Sequence, residues 1–149
     1  MKYLRCLFII PLISMTVNCS NAQSNRAEGE VFVMNKADFL TKIYNYEANS
    51  EEWVYEGNKP CIVDFYADWC GPCKRVAPIM KELAARYRDD VIFYKVNVDN
   101  ERELASVFGI SSIPTILFVP VKGKPQASLG ALPKETLIEQ IESFLLEKE

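Results

Sequence analysis

In the segment YADWCGPCKRVAP, Tyr66 to Pro78, two cysteines stand three positions apart, Cys70 and Cys73, with glycine and proline between them. Such a spacing serves three chemistries. A zinc site needs four ligands, usually a second such pair or histidines. This chain has no histidine and no second pair, leaving Cys61 as the third sulfur of the globular part. A structural bridge across so small a loop removes little unfolded-state entropy in the loop-closure picture. A chain of 149 residues, 49% hydrophobic and 25% charged, buries a sizeable core without such a staple. The third chemistry is a reactive dithiol, and the pattern favours it.

The pair falls where an apolar run ends and a helical pattern begins, which predicts Cys70 exposed at a helix N-terminus. Unpaired amide donors and the helix dipole there favour a thiolate. A thiol of pKa about 8.5 is only a few per cent ionised at neutral pH, whereas one near 7 is about half ionised, more than tenfold in attacking species. Cys73 sits one turn further in, placed to attack a mixed disulfide formed at Cys70. Gly71 permits a close approach and Pro72 sets a helical φ in the first turn.

One carboxylate stands out upstream. Asp64 interrupts the otherwise apolar run CIVDFYA, Cys61 to Ala67. Such a run suits a strand covered on both faces, where a carboxylate is costly unless neutralised or protonated. Burial raises its pKa and equips it to take the proton from Cys73 when a mixed disulfide resolves. Cys61, which opens the run, is read as a small core residue.

These residues need a scaffold. VFVMN (residues 31–35) predicts a short strand, and KADFLTKIYNYE a helix with Phe39, Leu40, Ile43 and Tyr44 at helical spacing. ANSEEWVYEGNKP is irregular, punctuated by Gly57 and Pro60. After the Cys61–Ala67 strand, PCKRVAPIMKELAARYRDD predicts a helix with Val76, Ile79, Met80 and Leu83 on one side, kinked at Pro78. VIFYKVNVD is the next strand, and the short helix ERELASVFG stops at Gly109. TILFVP and QASLG predict a hairpin turning at Gly123, and PKETLIEQIESFLLEK an amphipathic helix with Pro133 at its start. The order β-α-β-α-β-α-β-β-α implies an α/β domain, a central mixed β-sheet flanked by helices on both faces.

VDFYADWCGPCK, together with VNVD and GISSIPT, resembles the thioredoxin family over about Val31 to Lys148. The resemblance implies the thioredoxin fold and reversible thiol–disulfide exchange with protein substrates, with no cofactor and no metal. It implies that Cys70 attacks and Cys73 resolves. Asp64 matches the family's buried aspartate and Lys95 the lysine that partners it; the plainer alternative is a structural ion pair on adjacent strands. Trp69 matches the tryptophan shielding the active site, against the alternative of a core aromatic. From sequence alone the Ile113–Pro114 bond is trans by default, and the match implies cis, with this loop aligning substrate and keeping metals off the thiols. Gly71, Pro72, Ile113, Gly130 and Ala131 match an apolar docking surface, although Gly130 also suits an ordinary turn. Two departures are visible. The segment Glu47–Pro60 is longer than usual, and its Trp53 and Tyr55 pack the core's edge or extend the recognition surface. Ser112 replaces the glycine usual before Ile-Pro.

The first residues give an address. Lys2 and Arg5 precede the apolar run Leu7–Val17, and a small-residue site, Ser20-Asn21-Ala22, follows. This describes a secretory signal peptide, residues 1–22, then a linker, 23–30, and a domain, 31–149. A retained membrane anchor and lipidation at Cys19 are the alternatives; the run is short for a span and broken by Pro11. Cleavage after Ala22 leaves 15 basic against 20 acidic residues, a net charge of −5. No basic patch remains to suggest nucleic acid. The expectation is a monomer exported to the periplasm, where disulfides persist and a dithiol reductant needs a membrane electron-transfer partner to recharge it. Gly-Pro between the cysteines and the lack of histidine point to a disulfide reductase; the oxidising compartment leaves an oxidase or isomerase as the alternative. A binding module without chemistry is disfavoured by the intact Cys70, Cys73, Asp64 and Lys95.

Overall fold

The computed structural model describes residues 29–147; the expected signal peptide with Cys19, and most of the linker, lie outside them. The elements follow in order: β1 (Phe32–Val33), α1 (Lys36–Lys42), β2 (Cys61–Tyr66), α2 (Gly71–Arg86), β3 (Ile92–Asn97), α3 (Arg102–Val107), β4 (Thr115–Val119), β5 (Gln126–Leu129) and α4 (Lys134–Glu139). Strand order across the sheet is β1-β3-β2-β4-β5, with β1, β3 and β2 parallel and β4 and β5 antiparallel. The mixed sheet is the one expected.

Strand β2 lies at the centre, and its residues alternate between two separate cores. Ile62 faces α2 and the C-terminal helix, where it packs with Val76, Met80, Leu83, Phe93, Ile116 and Phe118. Cys61, Val63 and Phe65 face the other way, against Phe39, Ile43, Val96 and Leu104. Helices therefore cover both faces, which is why β2 carries almost no polar side chain. Asp64 shares the face of Ile62, and its register partners are Lys95 on β3 and Ile116 on β4.

Helix α2 continues through Pro78 to Arg86, and two other expectations change in detail. Pro78 and Lys74 are both exposed, so the Lys74 carbonyl deprived of its donor faces water instead of an apolar core. The first strand shrinks to two residues at the sheet edge. The last helix is α-helical only to Glu139 and continues as a π-helical segment, Gln140–Leu145. Its buried residues Leu137, Ile141 and Leu145 recur every four positions and so lie on one face.

The extended segment resolves one alternative. The Trp53 ring packs 4.6 Å from that of Tyr44, and both Trp53 and Tyr55 lie against the core shared by Phe39 and Phe65. A surface hollow places Trp53 beside Gly123 and Pro125 of the β4–β5 turn. Because Val119 pairs with Cys61, that turn is at the opposite end of β2 from Cys70. The segment closes the core's edge and adds nothing to the surface around the cysteines.

Candidate functional site

The C-terminal end of β2 delivers the chain through Ala67, Asp68 and Trp69 to Cys70, which caps α2. Cys70 is extended (φ −75°, ψ 107°), and its sulfur accepts the Cys73 amide N–H at 3.1 Å. Cys70 and Cys73 are joined as a disulfide, their Cα atoms 5.3 Å apart. A helix start supplies unpartnered N–H groups, and here one of them is directed at the Cys70 sulfur.

Cys70 is not exposed as its helix-terminal position suggests: it and Cys73 are each 3% accessible. Ala67, Tyr66, Val98 and Ile113 pack around the pair, and the Cys70 sulfur lies 3.8 Å from the Ile113 carbonyl oxygen. The exposed residues are its neighbours Trp69, Gly71 and Pro72. The sulfurs are thus shielded from bulk water and bordered by an apolar surface on which a partner chain can dock.

Trp69 is 70% exposed, which removes the core-aromatic alternative. It is nevertheless held: its indole N–H donates to Asp99 Oδ2 at 2.8 Å. The Asp99 amide in turn donates to Asn97 Oδ1 at 2.9 Å, and Asn97 Nδ2 donates to Asp68 Oδ2 at 3.3 Å. Asp68, Asn97 and Asp99 were not singled out from the sequence. The string VNVD contains two of them, but nothing in its composition says that the loop after β3 reaches the tryptophan.

The Ile113–Pro114 peptide bond is cis. The Pro114 carbonyl accepts the Gly130 N–H at 2.8 Å, which joins the loop before β4 to the loop after β5. Gly130 has φ +83°, a conformation glycine adopts without the steric cost other residues meet. Ile113, Pro114, Gly130 and Ala131 therefore occupy one rim, at the end of the sheet where β2 hands over to the cysteines. Ser112 is exposed on the same rim, and its carbonyl accepts the Thr115 hydroxyl at 2.7 Å.

Asp64 is 5% exposed, and its Oδ1 has no hydrogen-bond partner. Burial pushes its pKa up to about 7, and the positive charge of Lys95 acts in the opposite direction. A carboxyl with that pKa exchanges a proton readily near neutrality. It lies on the face covered by α2, the helix that carries Cys73. Lys95 is its register partner, yet the ion-pair alternative is not realised: the ammonium lies over the Tyr66 ring, 5.4 Å from its centroid, and no ion pair joins the two among the described residues. Cys61 is fully buried, and burial pushes its thiol up to about 12, so it stays protonated and inert. Among the described residues no three His, Cys, Asp or Glu side chains group to hold a metal ion.

Comparison with known proteins agrees with this geometry. The thioredoxin family model matches residues 41–143. A thioredoxin of Borreliella burgdorferi is 43% identical over 111 residues, covering 74% of this chain and 94% of the relative. An M-type chloroplastic thioredoxin of Spinacia oleracea is 36% identical over 135 residues, 91% of this chain and 74% of the relative. Among solved structures, a chloroplastic thioredoxin z superposes with a TM-score of 0.63 at 25% identity, covering 75% of this chain and 91% of that one. A thioredoxin of Malassezia sympodialis superposes with a TM-score of 0.60 at 30% identity, covering 74% and 88%.

Proposed function

The chain belongs to the thioredoxin family and is a thiol–disulfide oxidoreductase acting on protein disulfides; from that premise we propose that it works as a reductant of disulfides in exported proteins. The observation that carries action on protein disulfides is the setting of the Cys70–Cys73 pair: sulfurs closed to water, bordered by exposed Trp69, Gly71 and Pro72, beside the Ile113 carbonyl. A small solute gains little from such a border, whereas a protein segment buries it while presenting its own disulfide.

In the reduced enzyme the Cys70 thiolate attacks one sulfur of the substrate disulfide. The new bond joins Cys70 to that sulfur, and the other substrate sulfur leaves as a thiolate that takes a proton. Asp64 then accepts the Cys73 proton, and the Cys73 thiolate attacks Cys70; the second substrate sulfur leaves as a thiolate that takes a proton from water, and Asp64 gives up its own to solvent. The substrate gains two electrons and two protons, and the enzyme is left as the disulfide seen here. Lys95 adjusts the Asp64 carboxyl by its charge. Trp69, Ile113, Pro114, Gly130 and Ala131 form the docking rim.

The direction rests on the residues between the cysteines. Gly71-Pro72 and a chain without histidine provide no cation of the kind that stabilises the reduced thiolate in strong oxidants of this fold. The family value for thioredoxin, not one obtained from this structure, is about −270 mV, against about −120 mV for a strong oxidant, a gap of roughly 7 kcal/mol. The export reading rests on residues 1–22 and brings with it a membrane electron-transfer partner; a monomeric working form is proposed beside it. The same address supports the second reading, an oxidase or isomerase. Measuring the equilibrium reduction potential of the pair in the mature protein separates them. A value near about −270 mV supports the reductant, and one near about −120 mV replaces it with the oxidant.

A further inference from the structure

On the α2 face of the sheet, β2 and β3 bring four polar side chains together in two register pairs, Asp64 with Lys95 and Tyr66 with Asn97. In a parallel ladder paired residues point to the same side, so the Lys95 ammonium has two acceptors within its reach, the Asp64 carboxylate and the Tyr66 ring. It takes the ring, at 5.4 Å from the centroid. Asp64 Oδ1 is left without any partner although it is buried.

We propose that Tyr66 is a positioning residue: its ring holds the Lys95 ammonium off the Asp64 carboxyl, which keeps that carboxyl able to accept the Cys73 proton. An ammonium seated against a buried carboxylate stabilises the charged form and makes it a poor base. A ring face attracts the same cation more weakly and accepts no proton. The competition therefore leaves Asp64 under the influence of the Lys95 charge without direct contact with it.

The groups that bear on Asp64 can be named by element. On β2 it has Tyr66, whose phenol is raised mainly by burial, then by Asp68, with an opposing hydrogen bond from Asn97 and a further rise from Asp64 itself. In register with it β3 supplies Lys95 and β4 only the apolar Ile116, and Cys73 of α2 does not titrate in the disulfide. Among the described residues Lys95 is the one charge that pulls Asp64 towards ionisation, so whatever fixes the position of Lys95 sets the carboxyl.

The proposal rests on Asp64 being the proton acceptor, and the test separates the two. The Asp64 carboxyl is titrated by carbon-13 NMR in the full oxidised mature protein, in the wild type and in Tyr66→Phe, Tyr66→Leu, Tyr66→Met, Lys95→Met and the Tyr66→Leu/Lys95→Met double variant. Phe keeps the ring face, so the Asp64 midpoint stays put. Leu and Met remove it, Lys95 swings onto the carboxylate, and the midpoint falls by about one pH unit or more, the order expected for an ammonium brought several ångströms closer. In the Lys95→Met background the Leu substitution has no effect. An unchanged midpoint in a folded Tyr66→Leu or Tyr66→Met protein overturns the proposal, as does the same fall with Lys95 absent. In parallel, the pH profile for resolution of a mixed disulfide is recorded for the same reduced variants. If the NMR midpoints move as stated and the resolution profile does not follow them, Tyr66 positions Lys95 but Asp64 is not the proton acceptor.

Discussion

Replacing Asp64 with asparagine gives the sharpest test of the buried carboxyl. Its pKa rises from an ordinary 3.8 to about 7. Between these values the unfolded chain has released the proton and the folded chain has not. The folded state thus binds more protons, and stability falls as pH rises from about 4 to about 7, then levels off. A separation of about three pH units corresponds to a penalty of roughly 4 kcal/mol once fully developed. Asp64 is 5% exposed, so solvent screening does not erode this figure. About 1 kcal/mol of it is already present at about pH 4.5, which leaves about 3 kcal/mol to appear between there and about pH 8.5. The assay is urea unfolding of the oxidised wild type and Asp64→Asn at both pH values. Taking the difference of differences cancels the other carboxylates and whatever the asparagine amide costs by itself. The variant is expected to gain about 3 kcal/mol on the wild type between the two pH values. A double difference under about 1 kcal/mol would refute a carboxyl held near 7 by burial.

Other outcomes follow from the same geometry. Cys70→Ser abolishes thiol-dependent reduction of insulin, while Cys73→Ser accumulates a mixed disulfide with substrate, detectable as a mass adduct on Cys70; the reverse pattern exchanges their roles. Asp99→Ala removes the acceptor for the Trp69 indole N–H, so tryptophan mobility rises and KM for a protein disulfide increases several-fold, while the reaction with a small aromatic disulfide stays within about twofold; equal effects on both substrates would place Asp99 in the chemistry. Phe118→Ala empties a fully buried site in the α2-side core and costs about 3–5 kcal/mol by urea denaturation, with the reduction potential unchanged. Gly29→Ala places a Cβ about 1.9 Å from the Ala85 backbone nitrogen of α2, so the chain before β1 must detach there, and amide exchange at residues 30–33 accelerates while the core does not.

What the sequence determined by itself was the chemistry and the class of fold. The cysteine spacing at a strand-to-helix junction depends on local geometry, and so does the alternation of apolar runs with amphipathic helices; both are set by residues close together in the chain. Asp64 was legible for the same reason, because a carboxylate inside a doubly covered strand is conspicuous in one dimension. Tertiary structure decided the rest. Cys70 caps a helix, yet it is buried because Ile113, more than forty positions away, closes over it. Trp69 is exposed but held, since Asp99 on another loop meets its indole. Lys95 lies opposite Asp64 in register, but its choice of the Tyr66 ring depends on how two strands pack under α2. Each of these contacts joins segments distant in sequence. A burial, a shared hydrogen bond or a divided cation belongs to the packed pair of elements, and no local pattern in either element encodes it.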